Sequence, residues 1–134
     1  MSMKVLLSDP DWRFSHHTTA YLEGHAHLVV NEARAQAAIE RLAHWKPDLV
    51  ILSAESAENG LLEAAYAIKP RPAVLLTGAM DRYAEAWRAW QVGGDELLMK
   101  PVFGNEDLQQ AIITAMENAA TGAKRRSAPT AVSA

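Results

Sequence analysis

The feature that most constrains the fold is an apolar run near the middle of the chain, KPDLVILS at residues 46–53. A run of this length, opened by Pro47 and closed by a polar residue, is typical of a strand that is buried on both faces. Such strands lie in the middle of parallel sheets. Ligands of open parallel sheets bind just beyond the carboxyl ends of the strands. The residue that ends this run, Ser53, therefore bears most directly on what the domain does.

Length and composition predict one globular domain. The chain has 134 residues, of which 49% are apolar and 22% charged, and this is enough to bury a core. No run approaches the roughly 18 apolar residues of a membrane span, and the start lacks the layout of a secretory signal, so we expect a cytoplasmic protein without membrane contact. The absence of cysteine excludes thiol chemistry, and the net charge of -3 argues against a nucleic-acid partner.

The pattern along the chain predicts five strands that alternate with five helices. Strands are expected at residues 5–7, 27–30, 47–53, 73–76 and 96–99, and helices at 12–23, 32–45, 61–68, 81–92 and 105–119. Residues 54–60 are polar and are expected to be irregular. Parallel strands need crossover connections, so this alternation predicts a doubly wound α/β domain with helices on both faces of the sheet. We assign residues 1–120 to the domain and 121–134 to a disordered tail or linker.

Polar side chains follow the predicted strands at the edge where their carboxyl ends meet. This set consists of Asp9, Asp11, Ser53, Glu55, Thr77 and Lys100. Carboxylates, hydroxyls and an ammonium group that converge at one edge are suited to a divalent cation and a phosphoryl group.

Four motifs in order make residues 4 to about 119 resemble the response-regulator receiver domains, the chemotaxis-regulator-like family. The chain has KVLLSDPD where receivers read KVLLVDDD, KPDLVILS where they read PDLVILD, LLTG at the end of the fourth strand, and VGGDELLMKP where they read GADDYLxKP. The resemblance implies a flavodoxin-like (βα)5 three-layer sandwich with strand order 2-1-3-4-5. It also implies that Lys100 neutralises phosphoryl charge, that Thr77 binds phosphoryl oxygens, and that the bond before Pro101 is cis.

The chain departs from the receiver pattern where the chemistry takes place. Ser53 stands where receivers have the phosphoryl-accepting Asp, and Pro10 replaces one of the two acidic residues that hold Mg²⁺, so Asp9 is the one remaining candidate metal ligand of that pair. Leu97 stands where receivers often have an aromatic switch residue. A serine hydroxyl is protonated at neutral pH and needs a general base before it attacks phosphorus. We therefore expect no catalytic residue, no Mg²⁺ and no other cofactor.

These departures predict an atypical, phosphorylation-independent receiver that acts by binding a protein and is not an enzyme. The partner is expected to be a histidine kinase or a downstream signalling protein, bound through the face of helix 4, strand 5 and helix 5, with homodimerisation as an alternative. Trp87 and Leu97 are the candidate interface residues on that face. Two other functions stay open: a phosphorelay receiver that uses Asp9 or Asp11 unconventionally, and a small-ligand sensor in the vacated pocket.

The charge of Lys100 needs a partner once the phosphoryl chemistry is absent. We expect a contact of Lys100 with Glu55 or Asp9 that fixes one conformation, the alternative being a solvated Lys100. His25 and His27 alternate along a predicted strand, but the sequence offers no cysteine or third ligand in register, so we do not expect a metal site there.

Overall fold

The computed structural model describes residues 2–102 and 104–122, which form five strands and five helical segments in alternation. In chain order these are β1 Lys4–Ser8, α1 Trp12–Gly24, β2 Leu28–Asn31, α2 Ala35–Trp45, β3 Leu49–Ser53, the composite α3, β4 Ala73–Ala79, α4 Tyr83–Val92, β5 Glu96–Lys100 and α5 Asn105–Thr121. The composite α3 consists of Ala54–Ser56, a π-helical turn Ala57–Leu61 and an α-helix Leu62–Ala67, and a short 3-10 turn, Met80–Arg82, precedes α4.

All five strands are parallel and lie in the order β2-β1-β3-β4-β5. This confirms the predicted doubly wound fold and its strand order. The order places β1, β3 and β4 side by side in the middle of the sheet, and the register pairs Ser53 with Thr77. The carboxyl ends of these three strands therefore form one continuous edge.

The core lies on both faces of the sheet, as the apolar run of β3 predicts. Every residue of β3 is buried. Leu49 and Ile51 belong to the cluster that includes side chains of α1 and α5, whereas Val50 and Leu52 belong to the cluster with side chains of α2, α3 and α4. The period of two along a strand sends alternate side chains to opposite faces, so one strand contributes to both halves of the core.

The segment expected to be irregular after β3 is helical instead. The Ser53 hydroxyl accepts a hydrogen bond from the Ser56 backbone N–H at 3.1 Å and so caps the first turn. Ala54 and Ala57 are buried in the core. The prediction was wrong because small buried residues lie among charged ones here, which hides the helical period. Within the turn Ala57–Leu61, Asn59 and Gly60 depart from helical geometry, and Gly60 adopts φ +90°.

The amino edge of the sheet is held by a partly buried ion pair between Arg71 and Asp95. The Asp95 carboxylate accepts two hydrogen bonds from the Arg71 guanidinium, at 2.9 and 3.1 Å, and one from the Val74 N–H at 2.8 Å. The hydrogen bond and charge of Asp95, opposed by partial burial, raise the pKa of Arg71. Asp95 thereby connects β5 to the start of β4.

The last helix ends slightly later than the predicted residue 119. Thr121 belongs to α5, and Gly122 ends this helix in the left-handed conformation with φ +67°. The rest of the predicted tail, residues 123–134, lies outside the described residues. Within the described ranges, no helix combines the length and apolar character needed to cross a membrane.

Candidate functional site

The carboxyl edge of the sheet carries a cavity of about 250 Å³. All six side chains that the sequence places at the strand ends contribute to its lining: Asp9, Asp11, Ser53, Glu55, Thr77 and Lys100. We call this cavity, with these six residues, the degenerate pocket. The sheet order explains the convergence, because β1 and β3 are neighbours at the centre and β4 and β5 follow on one side.

Asp9 is the buried anion of the degenerate pocket, with 3% of its surface exposed. Its Oδ2 atom accepts a hydrogen bond from the Thr77 hydroxyl at 2.6 Å and lies 3.0 Å from the Lys100 Nζ atom. Its Oδ1 atom accepts a hydrogen bond from the Asp11 N–H at 2.9 Å. A buried carboxylate is stable only when it is paired and hydrogen-bonded, and Asp9 meets both conditions.

Lys100 lies between two carboxylates. Its Nζ atom is 3.0 Å from Asp9 Oδ2, 3.3 Å from Asp11 Oδ2 and 5.2 Å from the centre of the Phe14 ring. Only 14% of the Lys100 side chain is exposed. The expected contact of Lys100 with Asp9 is therefore present, and the alternative of a solvated Lys100 is wrong.

Glu55 does not supply the alternative contact with Lys100. Its side chain is 56% exposed, and its Oε2 atom lies 3.7 Å from the Arg82 guanidinium. Because Glu55 is the second residue of the α3 helical turn, and is not in the irregular loop that the sequence suggested, its side chain lies at the mouth of the pocket.

Asp11 connects the degenerate pocket to α1. Its Oδ1 atom accepts hydrogen bonds from the N–H groups of Arg13 and Phe14, which makes it the N-cap of the helix. Partial burial is the largest single influence on its carboxyl group and raises the pKa. The Phe14 N–H, the charge and hydrogen bond of Lys100, and the Arg13 N–H together outweigh this and lower the pKa of Asp11 below its ordinary value.

Ser53 is 6% exposed, and its hydroxyl is engaged within its own helix start. It donates a hydrogen bond to the Ser56 hydroxyl and accepts one from the Ser56 N–H, both at 3.1 Å. Within residues 2–102 and 104–122, no carboxylate or imidazole hydrogen-bonds to Ser53. The hydroxyl therefore lacks the adjacent base that a serine nucleophile requires.

Two residues of the site were missed at the sequence level. Ser56 follows Ser53 by three residues, the spacing at which an N-cap hydroxyl meets a backbone N–H, and this was the available signal. Phe14 covers Lys100 from α1, and its contact depends on packing across the sheet edge, which no local pattern indicates.

The structure corrects one of the two interface candidates on the face of α4, β5 and α5. Leu97 has 0% exposure and packs in the core cluster that contains Trp90, so it is not available to a partner. Trp87 is half-buried against the same cluster, and its ring stacks on Tyr83 with 6.2 Å between ring centres. The peptide bond between Lys100 and Pro101 is cis.

The residues of the degenerate pocket do not fit Mg²⁺. Mg²⁺ needs near-octahedral oxygen ligands and usually takes carboxylates. Here Pro10 offers no side-chain ligand, Ser53 offers a hydroxyl, and the Lys100 ammonium group already contacts the carboxylates of Asp9 and Asp11. Among the described residues, no group of three or more His, Cys, Asp or Glu side chains is arranged to hold a metal ion.

Comparisons with known proteins identify the fold. No protein-family model and no curated protein matches the chain. Among solved structures, a CheY-like response-regulator receiver domain protein from Methanospirillum hungatei matches with TM-score 0.71 and 20% identity, over 92% of this chain and 100% of that one. The signal receiver domain of a putative LuxO repressor protein from Vibrio parahaemolyticus matches with TM-score 0.73 and 17% identity, over 91% and 95% of the two chains. The chain therefore has the fold of the response-regulator receiver domains.

Proposed function

We propose that this chain is a phosphorylation-independent receiver module of two-component signalling, which acts in the cytoplasm by binding another protein and is not an enzyme. One observation carries the proposal. A neutral, hydrogen-bonded Ser53 hydroxyl ends β3, at the position that the family resemblance assigns to the phosphoryl-accepting carboxylate. A hydroxyl without a base is a poor nucleophile toward phosphorus.

The other pocket side chains support the same reading because they are engaged with one another. Lys100 is paired with Asp9 and Asp11, and Thr77 donates its hydrogen bond to Asp9. An incoming phosphoryl group would have to break these contacts before Lys100 and Thr77 could bind its oxygens. We infer that this internal ion pair holds the domain in one conformation.

The alternative of a phosphorelay receiver that uses Asp9 or Asp11 is less well supported. Asp9 accepts hydrogen bonds on both oxygens and is 3% exposed. Asp11 uses one oxygen to cap α1 and the other to pair with Lys100. Attack by either carboxylate would cost these interactions, whose removal leaves charged groups without partners.

Intact-mass measurement after incubation with acetyl phosphate and Mg²⁺ tests the proposal. We expect the mass of the native chain to stay unchanged. A matched variant, Pro10→Asp combined with Ser53→Asp, restores the two missing carboxylates and is expected to gain one phosphoryl group that mild base removes. A base-labile gain of one phosphoryl group by the native chain would contradict the proposal.

The same proposal assigns partner binding to the exposed side of α4. Tyr83 is 37% exposed and stacks on Trp87, and Val92 at the end of the helix is 70% exposed. Exposed aromatic residues are frequent anchors of protein interfaces. Capture of a partner, or of a second copy, by the immobilised chain should fall in a Tyr83→Ala variant and stay unchanged in His16→Ala, which alters an exposed residue of α1.

A further inference from the structure

A second cavity, of about 330 Å³, lies between α1 and α5 and shares no residue with the degenerate pocket. Met3 and His27, which contribute to its lining, directly precede β1 and β2, so this cavity lies toward the amino ends of the strands. Its size falls at the lower end of the range of small-molecule sites, about 300–1,000 Å³. We call it the α1–α5 cavity.

The walls of the α1–α5 cavity are mostly apolar. They include Leu22 of α1 and Ile112 and Met116 of α5, and Ile113, which is 40% exposed, also contributes. Apolar walls of this kind favour a ligand that has an apolar body, since binding removes apolar surface from water.

Two histidines of the cavity lining have defined tautomers. The Met3 N–H donates a hydrogen bond to His27 Nδ1 at 3.0 Å, so the proton of the His27 ring is on Nε2 and makes that atom a donor. The His25 Nδ1 atom lies 2.9 Å from the Tyr21 carbonyl oxygen, which can only accept. The proton of His25 is therefore on Nδ1, and in the neutral ring its Nε2 atom is an acceptor.

Glu117 adds a carboxylate to the same lining. Within the described ranges 2–102 and 104–122, its side chain makes no hydrogen bond or ion pair. Among the described residues that line the cavity, Glu117 is the only Asp, Glu, Lys or Arg, so the lining carries one carboxylate and no opposing ammonium or guanidinium group. A protonated amine matches this carboxylate because it carries positive charge and three donors.

We propose that the α1–α5 cavity binds a small amphipathic amine, whose apolar body contacts Leu22, Ile112 and Met116 and whose ammonium group lies beside Glu117. The ligand is a small molecule with one cationic group, because the cavity has a volume of about 330 Å³ and its negative charge lies on the carboxylate of Glu117. Such a ligand would contact α1 and α5 together. The site is independent of the phosphorylation chemistry discussed above.

Titrations followed by NMR of the methyl groups of Ile112 and Met116 test the proposal with three probes of one shape. Phenethylamine carries a cationic head, phenethyl alcohol a neutral head and phenylacetate an anionic head. We expect phenethylamine to shift these methyl signals at the lowest concentration, phenethyl alcohol at a higher one, and phenylacetate at the highest. No shift with any probe, or equal affinity for all three, would overturn the proposal.

Two variants locate the binding. Glu117→Gln removes the charge and should weaken phenethylamine binding about threefold without changing the binding of phenethyl alcohol. Ile113→Trp places a larger ring at a half-exposed position of the lining and should abolish the methyl shifts with the amine. Glu58→Gln, which removes an exposed carboxylate of α3 outside both cavity linings, serves as the control and should leave phenethylamine binding unchanged. Binding that persists in Ile113→Trp or disappears in Glu58→Gln would place the amine elsewhere and contradict the assignment.

Discussion

At the scale of single residues, the Lys100 ammonium group is neutralised by carboxylates that the chain itself supplies. Asp9 provides a buried partner and Asp11 a more exposed one, with 1% and 42% of their side chains accessible. Removing one member of a buried ion pair costs more than the pair contributes, because the remaining charge is left without compensation. The contributions of Lys100 and Asp9 to the free energy of unfolding should therefore depend strongly on each other, whereas the exposed pair of Glu55 and Arg82 should contribute little to it.

Lys100→Met is expected to lower the free energy of unfolding by about 2–3 kcal/mol, since it leaves the Asp9 carboxylate buried beside an apolar side chain. Urea unfolding followed by circular dichroism measures the change. Glu55→Gln is the matched control and should change the free energy of unfolding by less than about 0.5 kcal/mol, because its ion pair is exposed on both sides. Equal effects of the two substitutions would contradict the assigned role of Lys100.

A second prediction concerns how the stability contributed by the Asp11 carboxylate depends on pH. Its pKa is lowered in the folded chain from an ordinary value of 3.8, so its charge stabilises the fold above that value, and this contribution is lost as the pH falls through the lowered pKa. Asp11→Asn keeps an N-cap residue and removes only the charge. The native chain should be more stable than Asp11→Asn at pH 7, by no more than about 1 kcal/mol because the side chain is 42% exposed.

The stability difference between the native chain and Asp11→Asn should shrink as the pH falls below the ordinary pKa of the carboxyl group, and it should vanish once the pH is below the lowered pKa of the folded chain. Urea unfolding of both proteins across this range measures it. A difference that stays constant between neutral and acidic pH would indicate that Asp11 acts through capping geometry rather than through its charge.

At the scale of elements, the approach of α4 to β4 depends on Gly78. A Cβ atom at this position would lie 2.5 Å from Ala86 Cβ and 3.0 Å from Met99 Sδ, closer than packed atoms allow. The small side chain of Ala86 and the absence of one at Gly78 therefore set how near α4 lies to the sheet. The position of α4 in turn determines the face that we assign to partner binding.

Gly78→Ala should lower the free energy of unfolding by about 1–3 kcal/mol and displace α4, because the packed core has no room for the added methyl group. Urea unfolding and the amide NMR shifts of α4 report the two effects. Gly24→Ala is the control: a Cβ atom there has no neighbour within 4 Å, and alanine favours the helix. If both substitutions left the free energy of unfolding and the α4 signals unchanged, the contact between position 78 and Ala86 would not set the distance of α4 from the sheet, and the prediction would be contradicted.

The elements also show where sequence reasoning succeeded and where it failed. The alternation of apolar strands and periodic helices was enough to predict the sheet and its layers, because both patterns depend on local residue order. Leu97 was assigned to the surface by its place in the family pattern, but burial depends on which face of β5 the side chain occupies. Glu55 was expected near Lys100, but the helical turn after Ser53 carries it to the pocket mouth.

The residues that line the candidate site could be predicted from the sequence, but the contacts between them could not. All six strand-end residues line one cavity, since the carboxyl ends of parallel strands must share an edge. Which carboxylate reaches Lys100 depends on side-chain geometry across elements that are far apart in sequence. Asp9 and Lys100, for example, are 91 positions apart. The role of Phe14 could not be predicted for the same reason.

At the scale of the whole molecule, the two halves of the core share one sheet. Alternate residues of β3 belong to opposite clusters, so neither half can lose its packing without exposing the same strand. We expect a single cooperative unfolding transition. Tryptophan fluorescence reports mainly the half with Trp90, and the methyl NMR signals of Leu108 and Ile112 report the other half.

The two probes should give the same urea midpoint and the same dependence on urea concentration. Circular dichroism at peptide wavelengths supplies a third probe of the same transition. Separate midpoints for the two halves would mean that α1 and α5 unfold independently of α2, α3 and α4, and would contradict the prediction.

Ser53 is the last residue of β3, and its hydroxyl caps the first turn of α3. This double position limits which residues can replace it. Aspartate, asparagine and threonine also begin helices well, whereas a large apolar side chain would leave the first turn without its cap. Ser53→Asp is consequently compatible with the local backbone, because the aspartate carboxylate would keep the N-cap of α3.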